Sequence, residues 1–141
     1  MMTRKTAAAL AFASLLALPA SAPAQRSIDG RYLDQGGYVE ITVAPCGNMR
    51  CGTITRIVRN KPGETNRDRH NDDPELRSRP ITGIRVLQNL RWSDDAWRGQ
   101  VYNPEDGGTY RAVVRPGRNG ALEVQGCVTL ICRTVTWSAV S

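Results

Sequence analysis

The chain has 141 residues, 23% of them charged, with a formal net charge of +6, one histidine and four cysteines. That length suits one domain once a leader is set aside. The basic residues are scattered rather than set in a stripe interleaved with aromatics, which argues against nucleic-acid binding and leaves solubility or weak attraction to anionic envelope polymers.

Residues 1–24 read as a secretory signal peptide. Arg4 and Lys5 precede an apolar run from Ala7 to Leu18, and Ala22-Pro23-Ala24 supplies the small residues of a cleavage site. The run is too short to span a bilayer, and no second hydrophobic segment follows, so no transmembrane segment is expected. Cleavage after Ala24 removes Arg4 and Lys5 and takes the net charge from +6 to +4. Residues 25–141 are then a single domain, periplasmic or secreted, and expected to be a monomer.

Alternation of period two dominates this region, and helical periodicity is nearly absent. A short strand is expected around Gly30-Arg31-Tyr32. "YVEITVA" places Val39, Ile41 and Val43 on one face, and "CGTITRIV" pairs back onto it as a hairpin. "ITGIRVLQNLRW" (81–92) ends at the turn signal Ser93-Asp94-Asp95. "AWRGQVY" sets Trp97, Gly99 and Val101 against Arg98, Gln100 and Tyr102. "TYRAVVR" runs to the turn Pro116–Gly120, and "ALEVQGC" and "ICRTVTWSAV" complete the set. The result is an all-β, antiparallel up-and-down meander of about eight strands. Closing it into a small barrel removes the exposed edges. A barrel of that size is either filled by side chains or holds one small ligand. With three Trp, four Tyr and no Phe after the leader, a small pocket is the expectation.

The cysteines form two pairs of identical spacing, Cys46-x4-Cys51 and Cys127-x4-Cys132. An even count in a small exported domain reads as disulfides. Of three pairings, the local one is expected, because Gly47-Asn48 and Val128-Thr129 look like turn tips. Metal and thiol-redox sites favour C-x2-C spacing or histidine partners.

Residues 60–80 break the alternation. Five bases (Lys61, Arg67, Arg69, Arg77, Arg79) balance five acids (Glu64, Asp68, Asp72, Asp73, Glu75), so the loop is expected to be ordered by its own ion pairs. "DPELR" reads as a helical turn capped by Asp73 with Pro74 at its first position. Asp68, Asn71, Asp72 and Asp73 offer oxygens to a hard cation, but His70 and Asp73 break the calcium-loop pattern. His70 has no nucleophile beside it. Arg77 and Arg79, at i, i+2, point the same way in extended chain and suit either a carboxylate or phosphate ligand, or pinning to Asp72, Asp73 or Asp106 across the barrel mouth. In "YNPEDGGTY", Asn103-Pro104 and Gly107-Gly108 make a hairpin connection between Tyr102 and Tyr110, with Asp106 at the tip.

Four motifs carry a resemblance: "CGxxxCG", "DxxNxDPELRSRPIxGI", "WxGxVYNPEDGGTYxA" and a terminal "RTxTW". Together they resemble an exported bacterial family, domain-of-unknown-function family 2147, from Gly30 to Trp137. Tyr32 stands where that family usually has Trp, and Asn103 where it often has Asp. The resemblance implies a small lipocalin- or calycin-like barrel and no established activity.

The expected function is a non-catalytic, lipocalin-like binder of a small amphipathic or anionic envelope molecule. The candidate ligand-binding residues are Asp68, Asn71, Arg77, Arg79, Tyr102, Asp106 and Tyr110. No catalytic residues, metal or cofactor are expected. A solid barrel that docks on an envelope partner is the alternative, and a hydrolase using Asp68, His70 and Asp106 is a third reading. No nucleophile elbow or phosphate loop supports the hydrolase.

Overall fold

The computed structural model describes residues 13–141. Residues 13–24 are exposed and irregular, while Arg4, Lys5 and the start of the apolar run lie outside the described residues. Eight antiparallel strands follow: β1 (Gly30–Leu33), β2 (Val39–Cys46), β3 (Met49–Ile57), β4 (Arg85–Ser93), β5 (Ala96–Asn103), β6 (Gly108–Pro116), β7 (Leu122–Val128) and β8 (Ile131–Ala139). Each strand pairs with the next, and β1 returns to β8, closing the barrel in strict meander order. Among the described residues, no helix is long and apolar enough to cross a membrane.

The inward face follows from the alternation. Paired residues in adjacent antiparallel strands project to the same side. Trp97 therefore lies with Val114, Val114 with Val124, and Leu122 with Trp137. All are buried, as are Ile41, Val43 and Leu90. Gly52 is paired with Leu87 and leaves room for it: a Cβ at Gly52 would sit 3.0 Å from that of Leu87. Side chains with this little access to water cannot line a water-sized void, so this half of the barrel is filled. The strand expected from residue 81 begins only at Arg85. Ile81–Gly83 turn instead, with Gly83 at φ 92° in the left-handed region.

The filled end is plugged by the segment just before β1. Ile28 is 1% exposed. Its carbonyl accepts from the Tyr32 hydroxyl at 2.9 Å, and Trp97 Nε1 donates to the Arg26 carbonyl at 2.8 Å. Arg50 then caps the assembly, 2.6 Å from Asp29 and stacked 5.2 Å over the Trp97 ring. The disulfides are the local ones, Cys46–Cys51 in the β2–β3 hairpin and Cys127–Cys132 in the β7–β8 hairpin. They sit at opposite ends of the barrel, because the two hairpins turn at opposite ends.

Candidate functional site at the open end of the barrel

The end away from Ile28 gathers the 58–84 loop, the β5–β6 hairpin and the β7–β8 hairpin. The charged loop is ordered there around one carboxylate. Asp68 is 0% exposed. Its Oδ1 accepts from the Tyr102 hydroxyl at 2.5 Å, and its Oδ2 accepts from Asn71 Nδ2 and Arg79 Nε at 2.8 Å each. Arg79 adds a second nitrogen at 2.8 Å, and the Asp68 amide donates to the Arg79 carbonyl at 3.0 Å. Asn71 Nδ2 also reaches the Tyr102 hydroxyl at 3.0 Å. Burial, followed by the hydrogen bond to Asp68, pushes the Tyr102 phenol up to about 12.

The two arginines are not equivalent. Arg79 holds the buried carboxylate, whereas Arg77 Nε donates to the Asn71 carbonyl at 2.7 Å and, among the described residues, meets no acid. The expected pinning to Asp72, Asp73 or Asp106 is thus replaced by Arg79 on Asp68. The reason is the local chain path. Asp73 caps a 3-10 turn at Pro74–Leu76 by accepting from the Glu75 amide at 3.0 Å, and Asp72 stays exposed. Register also shows what the loop covers. Tyr102 shares a face with exposed Arg98 and Gln100, opposite Trp97 and Val101. It therefore stands on the outer wall, where the loop seals it, rather than inside an opening that the loop spans.

Gly107 fastens the same loop to the β5–β6 hairpin. Its φ is 74°, and a Cβ there would overlap the His70 carbonyl oxygen. Lys61 pairs with Glu105 across the same junction. His70 is exposed, with Arg69 Nε donating to its Nε2 at 3.1 Å and Glu64 at 4.0 Å. Among the described residues, no three metal-ligating side chains converge.

Tyr110 and Asp106 belong to a different surface. Tyr110 pairs with Val101 on the inner face, and its hydroxyl donates to Asp106 Oδ2 at 2.7 Å. The acceptor carboxylate beside it holds the phenol proton, raising the Tyr110 pKa above its ordinary value. Gly126 closes this row: a Cβ there would lie 3.3 Å from Val101 Cγ1 and 3.7 Å from Tyr110 Cβ. Opposite Gly126 in register stands Arg133, which is exposed and, among the described residues, has no carboxylate within ion-pair distance. Val39, Val101 and Val135 pack on the core and remain partly open to water. The inner face at this end of the barrel is therefore partly open to water and is called the cup. It has an apolar floor, with one uncommitted guanidinium on its wall and the Tyr110–Asp106 pair at its rim.

Of the residues singled out in the sequence, Asp68, Asn71, Arg77, Arg79 and Tyr102 come together in the loop fastening, and Asp106 and Tyr110 come together at the cup. Arg133 opens the terminal RTxTW motif, but its residue type and spacing did not mark it as a ligand contact. An open groove lies beside the loop, lined by Arg79, Pro80, Thr82, Gly83, Ile84, Arg85 and Gln88.

The fold is that of a solved lipocalin. Protein HP1028 from Helicobacter pylori, described as belonging to the lipocalin family, superposes with a TM-score of 0.68. It is 23% identical to this chain, with 83% of this chain and 85% of that one aligned. A search of curated proteins found no match. The profile of an uncharacterised protein family conserved in bacteria matches residues 30–139. With nearly the whole barrel inside that match, the chain belongs to this bacterial family, DUF2147.

Proposed function

We propose that the protein is an exported binder of a small amphipathic anion, which it takes into the cup at the open end of the barrel. The observation that carries this reading is the row Val101–Tyr110–Gly126–Arg133, which faces inward and yet is reached by water. Apolar surface there gains by covering a ligand's hydrocarbon part, and Arg133 suits a carboxylate or phosphate through a bidentate fork. The filled lower half limits depth, so a short or partly protruding ligand fits better than a long buried chain. Export rests on the leader-like residues 1–24 and on the two disulfides, which persist in oxidising compartments.

Asp68, Asn71, Arg79 and Tyr102 support the site indirectly in this reading, by holding the loop against the hairpin that carries Asp106. A carboxylate already occupied by three side chains is a poor general base, which counts against the hydrolase reading. Native mass spectrometry of the protein recovered from its own envelope tests the proposal, with a retained small anion as the expected result. Displacement of a fluorescent fatty acid gives the residue-level check. Arg133→Gln is expected to weaken binding about tenfold, the worth of one charge-assisted contact. Equal affinity in wild type and Arg133→Gln would remove the cup from consideration.

A further inference from the structure

The β7–β8 hairpin ends in a feature that ligand binding does not need. Val128 is 54% exposed, Leu130 97% and Ile131 79%. Soluble domains rarely cluster bare apolar side chains at a protruding tip without using them. The turn itself is an unfavourable choice for these residues. Two-residue hairpin loops prefer Asn-Gly, yet here Thr129 takes φ 51°, a region that disfavours β-branched residues. The Cys127–Cys132 disulfide lies directly beneath and holds the tip in place.

Two bases stand beside the tip. Arg111 Nη2 donates to the Thr129 carbonyl at 2.8 Å, which sets its guanidinium against the turn. Arg133 follows one residue after Cys132, and from residue 124 to the end of the chain there is no acid. Three side chains on a convex tip fall well short of the roughly 800 Å² per partner that a stable protein interface buries. A lipid surface needs no such area, because each apolar side chain enters the headgroup boundary on its own while nearby bases meet anionic lipid.

We infer that the Val128–Ile131 tip docks the protein on an anionic lipid surface. Val128, Leu130 and Ile131 enter the interface, and Arg111 and Arg133 lie at headgroup level. The open cup shares this end of the barrel, so docking turns the cup toward the membrane. The inference holds whether or not the cup takes a ligand, since the assay below contains none.

Chain 25–141, which carries every strand, is incubated with vesicles of phosphatidylcholine with or without phosphatidylglycerol and sedimented. Binding is expected on the anionic vesicles and to fall with salt. Leu130→Ser/Ile131→Ser is expected to bind at least tenfold more weakly, by the loss of two inserted side chains, and Arg111→Gln about fivefold more weakly. Hydrogen exchange on the wild type, which needs no variant, should slow on vesicles around 128–131. The inference is overturned if the double variant binds as the wild type does, or if neither binds. It is equally overturned if the tip proves instead to mediate self-association that the double variant abolishes in the absence of lipid.

Discussion

Replacing Asp68 by alanine removes the group on which the 66–80 loop is assembled. Four donor atoms converge on this carboxylate: the Tyr102 hydroxyl, Asn71 Nδ2 and two nitrogens of Arg79. Hydrogen bonds to a charged group contribute about 1.5–3 kcal/mol each, but they do not add, and the carboxylate regains hydration when it is exposed. Arg79 is 37% exposed and recovers part of its solvation once unpaired, which discounts the ion pair. A net loss of about 3 kcal/mol follows, the low end for breaking a buried pair. For a domain of this size that corresponds to a Tm lowered by roughly 12 °C. Thermal melts by circular dichroism measure the shift, and hydrogen exchange over 66–80 should quicken while the strands remain protected. A fall of less than about 3 °C with unchanged loop exchange would refute the fastening account.

Arg79→Ala is expected to cost more than Arg77→Ala, about 2 against about 1 kcal/mol, since Arg79 meets the Asp68 carboxylate and Arg77 a backbone carbonyl; the reverse order in denaturant melts would reassign the roles. Tyr102 keeps its phenolic proton to a higher pH when folded, up to about 12, than when unfolded, about 10. Its contribution is therefore fully present below about pH 10 and is lost as pH rises toward about 12. Tyr102→Phe should remove that part of the alkaline slope in pH-dependent melts, leaving what Tyr32 and Tyr110 contribute, and an unchanged slope would contradict the buried phenol. Gly107→Ala should destabilise by more than about 2 kcal/mol through overlap with the His70 carbonyl. Gly47→Ala, also at positive φ but in open space, should cost about 1 kcal/mol, and equal melts for the two would deny the loop–hairpin contact. Trp97→Ala, at a ring 2% exposed, should cost about 3–5 kcal/mol, and an unchanged melt would mean the ring is not in the core.

The strands were legible because each buries one face, so period-two patterning survives in the sequence. The start of β4 was not, because Ile81, Thr82 and Ile84 are β-branched residues that favour extended chain, whereas the backbone turns away at Gly83. The local disulfides were legible from the duplicated spacing together with the turn-like residues between each pair. Whether the barrel was filled depended on Ile28 and Arg26, which plug one end from a segment whose own sequence carries no pattern. The loop's balance of charges announced that it would order, yet not which arginine would take which acid. Positions i and i+2 look alike in an extended chain, and the choice of Arg79 over Arg77 is made by the tertiary placement of Asp68 against Tyr102. Arg133 was hidden for the same kind of reason: its place in the cup is set by register with Gly126, across two strands and a hairpin.

The most direct test of the account is an amide chemical-shift map of isotopically labelled protein titrated with a short-chain fatty acid. Saturable shifts confined to Val39, Val101, Tyr110, Gly126, Arg133 and Val135, with Leu122 and Trp97 unmoved, are the predicted result. Shifts centred on Arg79, Arg85 and Gln88, in the groove beside the loop, or no saturable shift for any amphipathic anion, would contradict a ligand site in the open end of the barrel.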